Sequence, residues 1–249
     1  MSPSQHALRT RIGALVAVGA IAALATACNG DDKKDAKDGG GSASGDKGKY
    51  AGDLQAYLKT TSQGAHVQQV RAEKTAGADY TVTVNTDLGA PDTSATEETL
   101  KVQESAEKLV NAAEKWVQEH TDLKVMSIEV LDKNKGVKGI ENLDNKPKDK
   151  AANDAYAKEL LAGIKASANG SKVTDVKVYA GLTGSGNKIV VYTHVATRTG
   201  DVEGDIATMD AGAQVANEAK QWAQDHTQVK AASVVVLDSE MGMAGIENL

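Results

Sequence analysis

Along the chain, apolar positions recur at two different periods, and the sequence of periods is played twice. Helix-type spacing comes first, around Tyr50–Ser62 and again around Ala152–Ala166. Two strand-type segments follow in each case, His66–Ala72 with Tyr80–Leu88, and Lys172–Tyr179 with Lys188–Thr197. In the second of these, Tyr80, Val82, Val84, Thr86 and Leu88 alternate with other residues and share one face of a strand. A long amphipathic helix is predicted next, opened by Ser94 and Glu97 in capping-box spacing. Its buried stripe is Ala106, Leu109, Val110, Ala113, Trp116 and Val117, and the second helix offers Met209, Ala213, Ala216, Ala219, Trp222 and Ala223.

Each long helix ends near a His-Thr pair, and β-branched runs follow at Leu123–Leu131 and Val229–Leu237. Asp132 to Gly136 and Asp238 to Gly242 then read as hairpin turns, opened by Asp and closed by Gly. The returning strand is Gly-Ile-Glu-Asn-Leu in both places. Residues 111–143 align without a gap with 217–249, and about half the positions are identical, including Trp116/Trp222, His120/His226 and Asp132/Asp238. The likeness continues upstream through Gly64/Gly170, Val67/Val173 and Val70/Val176. The predicted fold is therefore α+β, with two tandem αββαββ repeats at 50–143 and 152–249, a linker at 144–151, and helices packed on a mainly antiparallel sheet in each repeat.

The first 27 residues follow neither pattern. Arg9 and Arg11 precede an uncharged apolar run, Ile12 to Leu24, and Ala25-Thr26-Ala27 supplies small residues of the kind a signal peptidase accepts. From Ile12 to Ala27 the run falls short of the ~20 apolar residues that cross a bilayer. Cys28 comes directly afterwards, and Leu24-Ala-Thr-Ala-Cys28 resembles a bacterial lipobox, departing from the usual pattern in having Ala25 three residues before the cysteine. That resemblance implies cleavage before Cys28, a diacylglyceryl group on its sulfur, and a lipid anchor on the extracytoplasmic face of the cell membrane. Ordinary cleavage at the same bond is the rival and leaves a free thiol. Two or three acyl chains, at about 0.8 kcal/mol per buried CH2, hold a protein on a membrane. Residues 29–49 are Gly, Ser, Asp and Lys almost throughout, so 28–49 reads as a lipidated cysteine and flexible tether. The acids Asp31 and Asp32 within it are interleaved with lysines that repel a cation. Taken with the Val/Thr strand ahead of an Ala-rich, Trp-bearing helix, the chain resembles uncharacterised lipoproteins of high-GC Gram-positive, actinobacterial type. The resemblance implies an extracytoplasmic tethered domain and carries no activity or site residues with it.

Composition narrows the function classes. The 249 residues include one cysteine, which excludes an intrachain disulfide framework, and no Phe, which leaves Ala/Val-rich cores in need of the two tryptophans. Formal charge is -6, and removing Arg9 and Arg11 with the first 27 residues leaves 26 basic against 34 acidic side chains. So acidic a body does not suit nucleic acid, and its attachment to a membrane would rest on lipid at Cys28 and not on charge.

Few residues present themselves for chemistry. Glu141 and Glu247, in the two copies of Gly-Ile-Glu-Asn-Leu, are candidate ligand-binding carboxylates if the repeats bring them together. His120 and His226 are candidates on the same condition, with a helix C-terminal role as the alternative. Neither has a second His at metal-ligand spacing, so no metal or other cofactor is expected. Trp116 and Trp222 are read as core, and Asp132 and Asp238 as turn formers. Gly181 to Lys188 has the glycines of a phosphate loop but joins two strands and lacks the Ser/Thr after the lysine, so it is read as a hairpin loop. No nucleophile elbow occurs. The reading is a non-enzymatic binding or regulatory module with an envelope protein partner, and the alternative is a small-ligand receptor or hydrolase with its site between the repeats.

Overall fold

The alternating segments become strands and the longer periodic ones helices in the computed structural model, which describes residues 43–75, 79–89, 96–181, 186–198 and 201–249. The expected signal segment, Cys28, the tether up to residue 42 and the capping Ser94 lie outside the described residues. Repeat 1 runs α1 (Ala43–Leu58), β1 (Val67–Lys74), β2 (Tyr80–Thr86), α2 (Thr96–Glu119), β3 (Val125–Leu131) and β4 (Val137–Asn142). Repeat 2 runs α3 (Lys150–Lys165), β5 (Val173–Tyr179), β6 (Asn187–Thr193), α4 (Val202–Asp225), β7 (Ala231–Leu237) and β8 (Met243–Asn248).

Each repeat builds one sheet in sequence order, β1-β2-β3-β4 and β5-β6-β7-β8. The outer pairs are antiparallel hairpins, while β2·β3 and β6·β7 are parallel. A parallel pair needs a crossover long enough to return the chain, and α2 and α4 are those crossovers. Both helices of a repeat cover the same face of its sheet. Leu54, Leu58, Val82, Val84, Leu109, Val117 and Ile128 fill the first core, and Leu160, Ile164, Ile189, Val191, Val215, Val234 and Val236 the second. The α+β architecture and its duplication are as the periodicity predicts.

Two expectations need correction, and the linker adds a detail. The stripe on α4 is displaced: Met209 is 53% exposed and Ala213 is also exposed, whereas Thr208, Gly212, Val215, Ala216, Ala219 and Ala223 are buried. Gly212 lets α4 lie directly against β8, since a Cβ there would sit 2.3 Å from the Ala244 carbonyl oxygen. Selecting the stripe by apolar side chains passes over a buried glycine, although Gly212 aligns with buried Ala106. Secondly, α1 starts at Ala43, inside the segment read as tether, with Asp46–Lys49 exposed and Tyr50 the first described residue to be buried. The linker at 144–151 is tied to both repeats. Asn145 is wholly buried; its Oδ1 accepts the Val125 N–H at 2.9 Å and its Nδ2 donates to the Leu123 and Val117 carbonyls at 2.8 and 3.2 Å. Asp144 makes an isolated antiparallel bridge with Ala180 beyond the end of β5.

The two repeats belong to one compact unit, Gly40–Leu249. Side chains alternate across β6, so Ile189 and Val191 enter the core while Lys188, Val190 and Tyr192 face the other way. Tyr179, Val190, Tyr192 and Leu237 form a third buried apolar cluster on that second face. The α2 helix of repeat 1 lies over it, which places α2 between the two sheets.

Candidate functional site

The seam between the repeats is where ionisable side chains are brought together. Lys188 on β6 reaches into repeat 1, its Nζ donating to Glu114 Oε2 on α2 at 2.8 Å and to Glu141 Oε1 on β4 at 2.9 Å. Glu114 is buried, whereas the Lys188 and Glu141 side chains are 20% and 29% exposed. Burial pushes the Glu114 carboxyl up to about 7; Lys188 opposes this and Glu141 adds to it. Burial pulls Lys188 down, but the two carboxylates outweigh it and hold the ammonium above its ordinary range. Nearby, the Tyr179 and Tyr192 hydroxyls are 2.7 Å apart, burial pushes both phenols up, and Lys115 Nζ stands 4.9 Å over the Tyr192 ring. Further along α2, Asn111 Nδ2 donates to the Met241 carbonyl at 2.8 Å, and the buried Lys108 donates to Thr197 Oγ1 at 3.0 Å and to Glu240 at 3.2 Å. A carboxylate pair sharing one lysine across the seam ties the two repeats together.

Glu141 and Glu247 do not meet. Glu141 is held by Lys188, whereas Glu247 Oε2 accepts from Lys220 of its own repeat at 2.8 Å. Lys220 aligns with Glu114, so the charge on the crossover helix is reversed between copies, and Lys188 supplies repeat 1 with the cation that repeat 2 carries internally. His120 and His226 are used alike and separately. Each ring stacks on the tryptophan one turn earlier, at 3.9 and 3.8 Å between centroids, with Nδ1 2.8 Å from that tryptophan's carbonyl oxygen. The Tyr50 and Tyr156 hydroxyls donate to the His120 and His226 carbonyls at 3.0 and 2.9 Å. These are closures of a helix C-terminus. Trp116 is buried and Trp222 half-buried, each packed edge-on against its tyrosine. Asp132 and Asp238 accept two turn amides each, those of residues 134 and 136 and of 240 and 242, all at 2.8 Å. The connection from β5 to β6 joins antiparallel strands, as read for Gly181 to Lys188.

One cavity lies between the repeats, about 320 Å³, and none of the four candidate residues lines it. Its walls are the C-terminal end of α2 (Gln118, Glu119), Pro147, one flank of α3 (Lys150, Asp154, Lys158, Leu161) and five consecutive residues of β5, Asp175–Tyr179. Gln118 is 5% exposed, and its Nε2 has no hydrogen-bond partner among the described residues. Among the described residues, no three His, Cys, Asp or Glu side chains are grouped to hold a metal ion, and no helix is long and apolar enough to cross a membrane. Glu114, Lys188 and Gln118 are the residues that reading the sequence missed. The signal for the first two was present in the alignment of the copies, as the reversal from Glu114 to Lys220 and the change from Thr81 to Lys188.

Compared with known proteins, the chain matches no protein family, no curated protein and no solved structure.

Proposed function

We propose that the protein is a lipoprotein, exported and held at the outer face of the cell membrane through lipid on Cys28, whose paired repeats act as a non-enzymatic binding or regulatory module on an envelope protein. What carries this reading is the run of Arg9, Arg11, the apolar segment and Leu24-Ala-Thr-Ala-Cys28 ahead of a Gly/Ser/Asp/Lys stretch. The body adds support, because the carboxylates and imidazoles that could have formed a reaction centre are engaged in the seam, in ion pairs and at helix ends. Metabolic labelling with palmitate tests the anchor. Wild type is expected to take up label and to leave the membrane fraction when Cys28→Ala is introduced; equal labelling and fractionation of the two forms would overturn it. In-cell crosslinking followed by identification of the crosslinked peptides tests the partner.

The second reading, a receptor or hydrolase working between the repeats, has the 320 Å³ cavity in its favour. It requires residues other than Glu141, Glu247, His120 and His226.

A further inference from the structure

The open edges of the two sheets are finished differently. In repeat 1, the Val70 N–H on β1 points away from β2 and donates to Gln55 Oε1 of α1 at 3.0 Å, while Gln55 Nε2 reaches the Gln68 carbonyl at 3.5 Å. A side chain from the overlying helix thus seals that edge. In repeat 2 the aligned strand residue is Val176, and the helix residue aligned with Gln55 is Leu161, which has no group to offer. The Val176 N–H is taken only by its own neighbour, Asp175 Oδ1, at 2.9 Å. Antiparallel pairing sends the main-chain groups of alternate residues to opposite sides, so Val176, Val178 and Ala180 face the open edge. Ala180 is the residue bridged by Asp144, so the linker has already begun a fifth strand there and stops after one pair.

The cavity runs along the rest of that edge. Its floor is the strand itself, and its far wall is the α3 flank carrying Ala157 and Leu161. Two lysine–carboxylate pairs lie on its rim, Lys150–Asp154 and Lys177–Asp175, both at 3.3 Å. Among the described residues Lys158 has no ion-pair or hydrogen-bond partner, and the buried Gln118 amide is an unused donor on the opposite wall. Unpaired strand groups are a template for another strand, and a buried donor without a partner costs about 1–3 kcal/mol. We propose that the groove along β5 is a docking site for an extended peptide segment of a partner protein, which adds to sheet 2 as a fifth strand and carries an acidic side chain for Lys158. The main chain of that segment would engage the Val178 N–H and the Val176 and Val178 carbonyls, and an acceptor from it would satisfy Gln118. Small apolar side chains suit the wall formed by Ala157 and Leu161.

This names the contact surface of the binding module proposed above and rests on that reading for its setting, but the binding itself needs neither lipid nor membrane. The full chain, purified, is panned with a phage-displayed library of random heptapeptides, and the enriched peptides are synthesised and titrated. The expected result is enrichment of β-branched sequences with an acidic residue, at least tenfold weaker binding to Leu161→Gln and to Gln118→Leu, and slowed amide hydrogen exchange at Val178. Leu161→Gln copies the seal of repeat 1, so its melting temperature is expected to hold or rise. The proposal is overturned if no peptide is enriched, if the enriched peptides bind Leu161→Gln as well as wild type, or if they protect amides elsewhere. Any of those results leaves the palmitate experiment untouched, and failure of that experiment leaves this one standing.

Discussion

The second faces of the two sheets carry the same positions and opposite chemistry. On sheet 1 the outward positions are Glu73, Thr83, Asn85 and Glu129; on sheet 2 the aligned residues are Tyr179, Val190, Tyr192 and Val235. In the first set Glu73 is exposed, Thr83 and Glu129 are half-buried, and Asn85 is buried with its Oδ1 accepting from Lys135 Nζ at 2.8 Å. The second set is roofed by α2 of the other repeat. The crossover helices differ to match. Lys108, Glu114 and Gln118 on α2 are buried in the seam, while the aligned α4 residues Gln214 and Gln224 are exposed and Lys220 is half-exposed. Within this pair, the apolar second face of sheet 2 is matched to α2, whereas the aligned α4 positions stay on the surface. A duplicated unit has become a pair through changes on one face of each copy.

The most direct way to break this contrast is to give sheet 2 the residues of sheet 1. Val190→Thr together with Tyr192→Asn should cost about 4–5 kcal/mol, from lost apolar burial and from polar groups placed against the underside of α2. Urea unfolding would show it, with the repeats coming apart in separate transitions. One cooperative transition at an unchanged midpoint would mean that the apolar face does not hold the seam. The reverse exchange, Thr83→Val with Asn85→Tyr, should promote self-association, visible by sedimentation, and displace Lys135 from Asn85.

Lys188→Met comes next. It leaves the buried Glu114 without its cation beside the partly exposed Glu141, a loss of about 3–4 kcal/mol for a buried ion pair deprived of one partner. The matching change in repeat 2, Lys220→Met, acts on a pair with both side chains about 30% exposed and should cost less than about 1 kcal/mol. Equal losses at the two sites would show that the seam is as wet as the surface.

A smaller effect separates the helix contacts. Gly212→Ala forces α4 off β8, an overpacking loss of about 1–3 kcal/mol that the better helix propensity of Ala only partly offsets. Ala106→Gly in repeat 1 should cost about 1 kcal/mol, from backbone entropy. Thermal melts of both variants give the comparison.

Most of this architecture can be read from the sequence because it depends on local period. Alternation along Tyr80–Leu88, the Asp132–Gly136 turn and the stripe from Ala106 to Val117 all appear where expected. The α4 stripe is misread because a buried glycine contributes close approach and no side chain, and Met209 is apolar yet faces outward. The seam is harder for a different reason. Lys188 looks like an ordinary polar residue at the start of a strand, and only the stacking of one repeat on the other gives it two carboxylates to hold. Glu141 and Glu247 would meet only if the repeats brought their matching strands together, whereas the repeats stack helix onto sheet. The difference between the copies was the better guide than their identity.

The finest test of the contrast is pH, because repeat 2 has a lysine where repeat 1 has Glu114. The folded-state pKa of Glu114, about 7, lies above the 4.5 of a free glutamate, so the folded chain holds a proton that the unfolded chain has released. Stability from this group is fully present below 4.5, falls as pH rises through the window up to 7, and levels off above it. Burial also raises Glu107 against the pull of Arg198, which adds to the same fall. Asp132 runs the other way: burial raises it, but the Gly136 and Asn134 amides and Lys138 together leave it below 3.8, so its contribution is lost only in stronger acid. Glu114→Gln should therefore leave stability at pH 5 close to that of wild type, raise it relative to wild type at pH 8, and flatten the profile between them. Urea midpoints at those two pH values decide the matter. A wild-type midpoint that does not fall between pH 5 and 8, or a Glu114→Gln profile parallel to wild type, would show that Lys188 neutralises both carboxylates and that no proton is held in the seam.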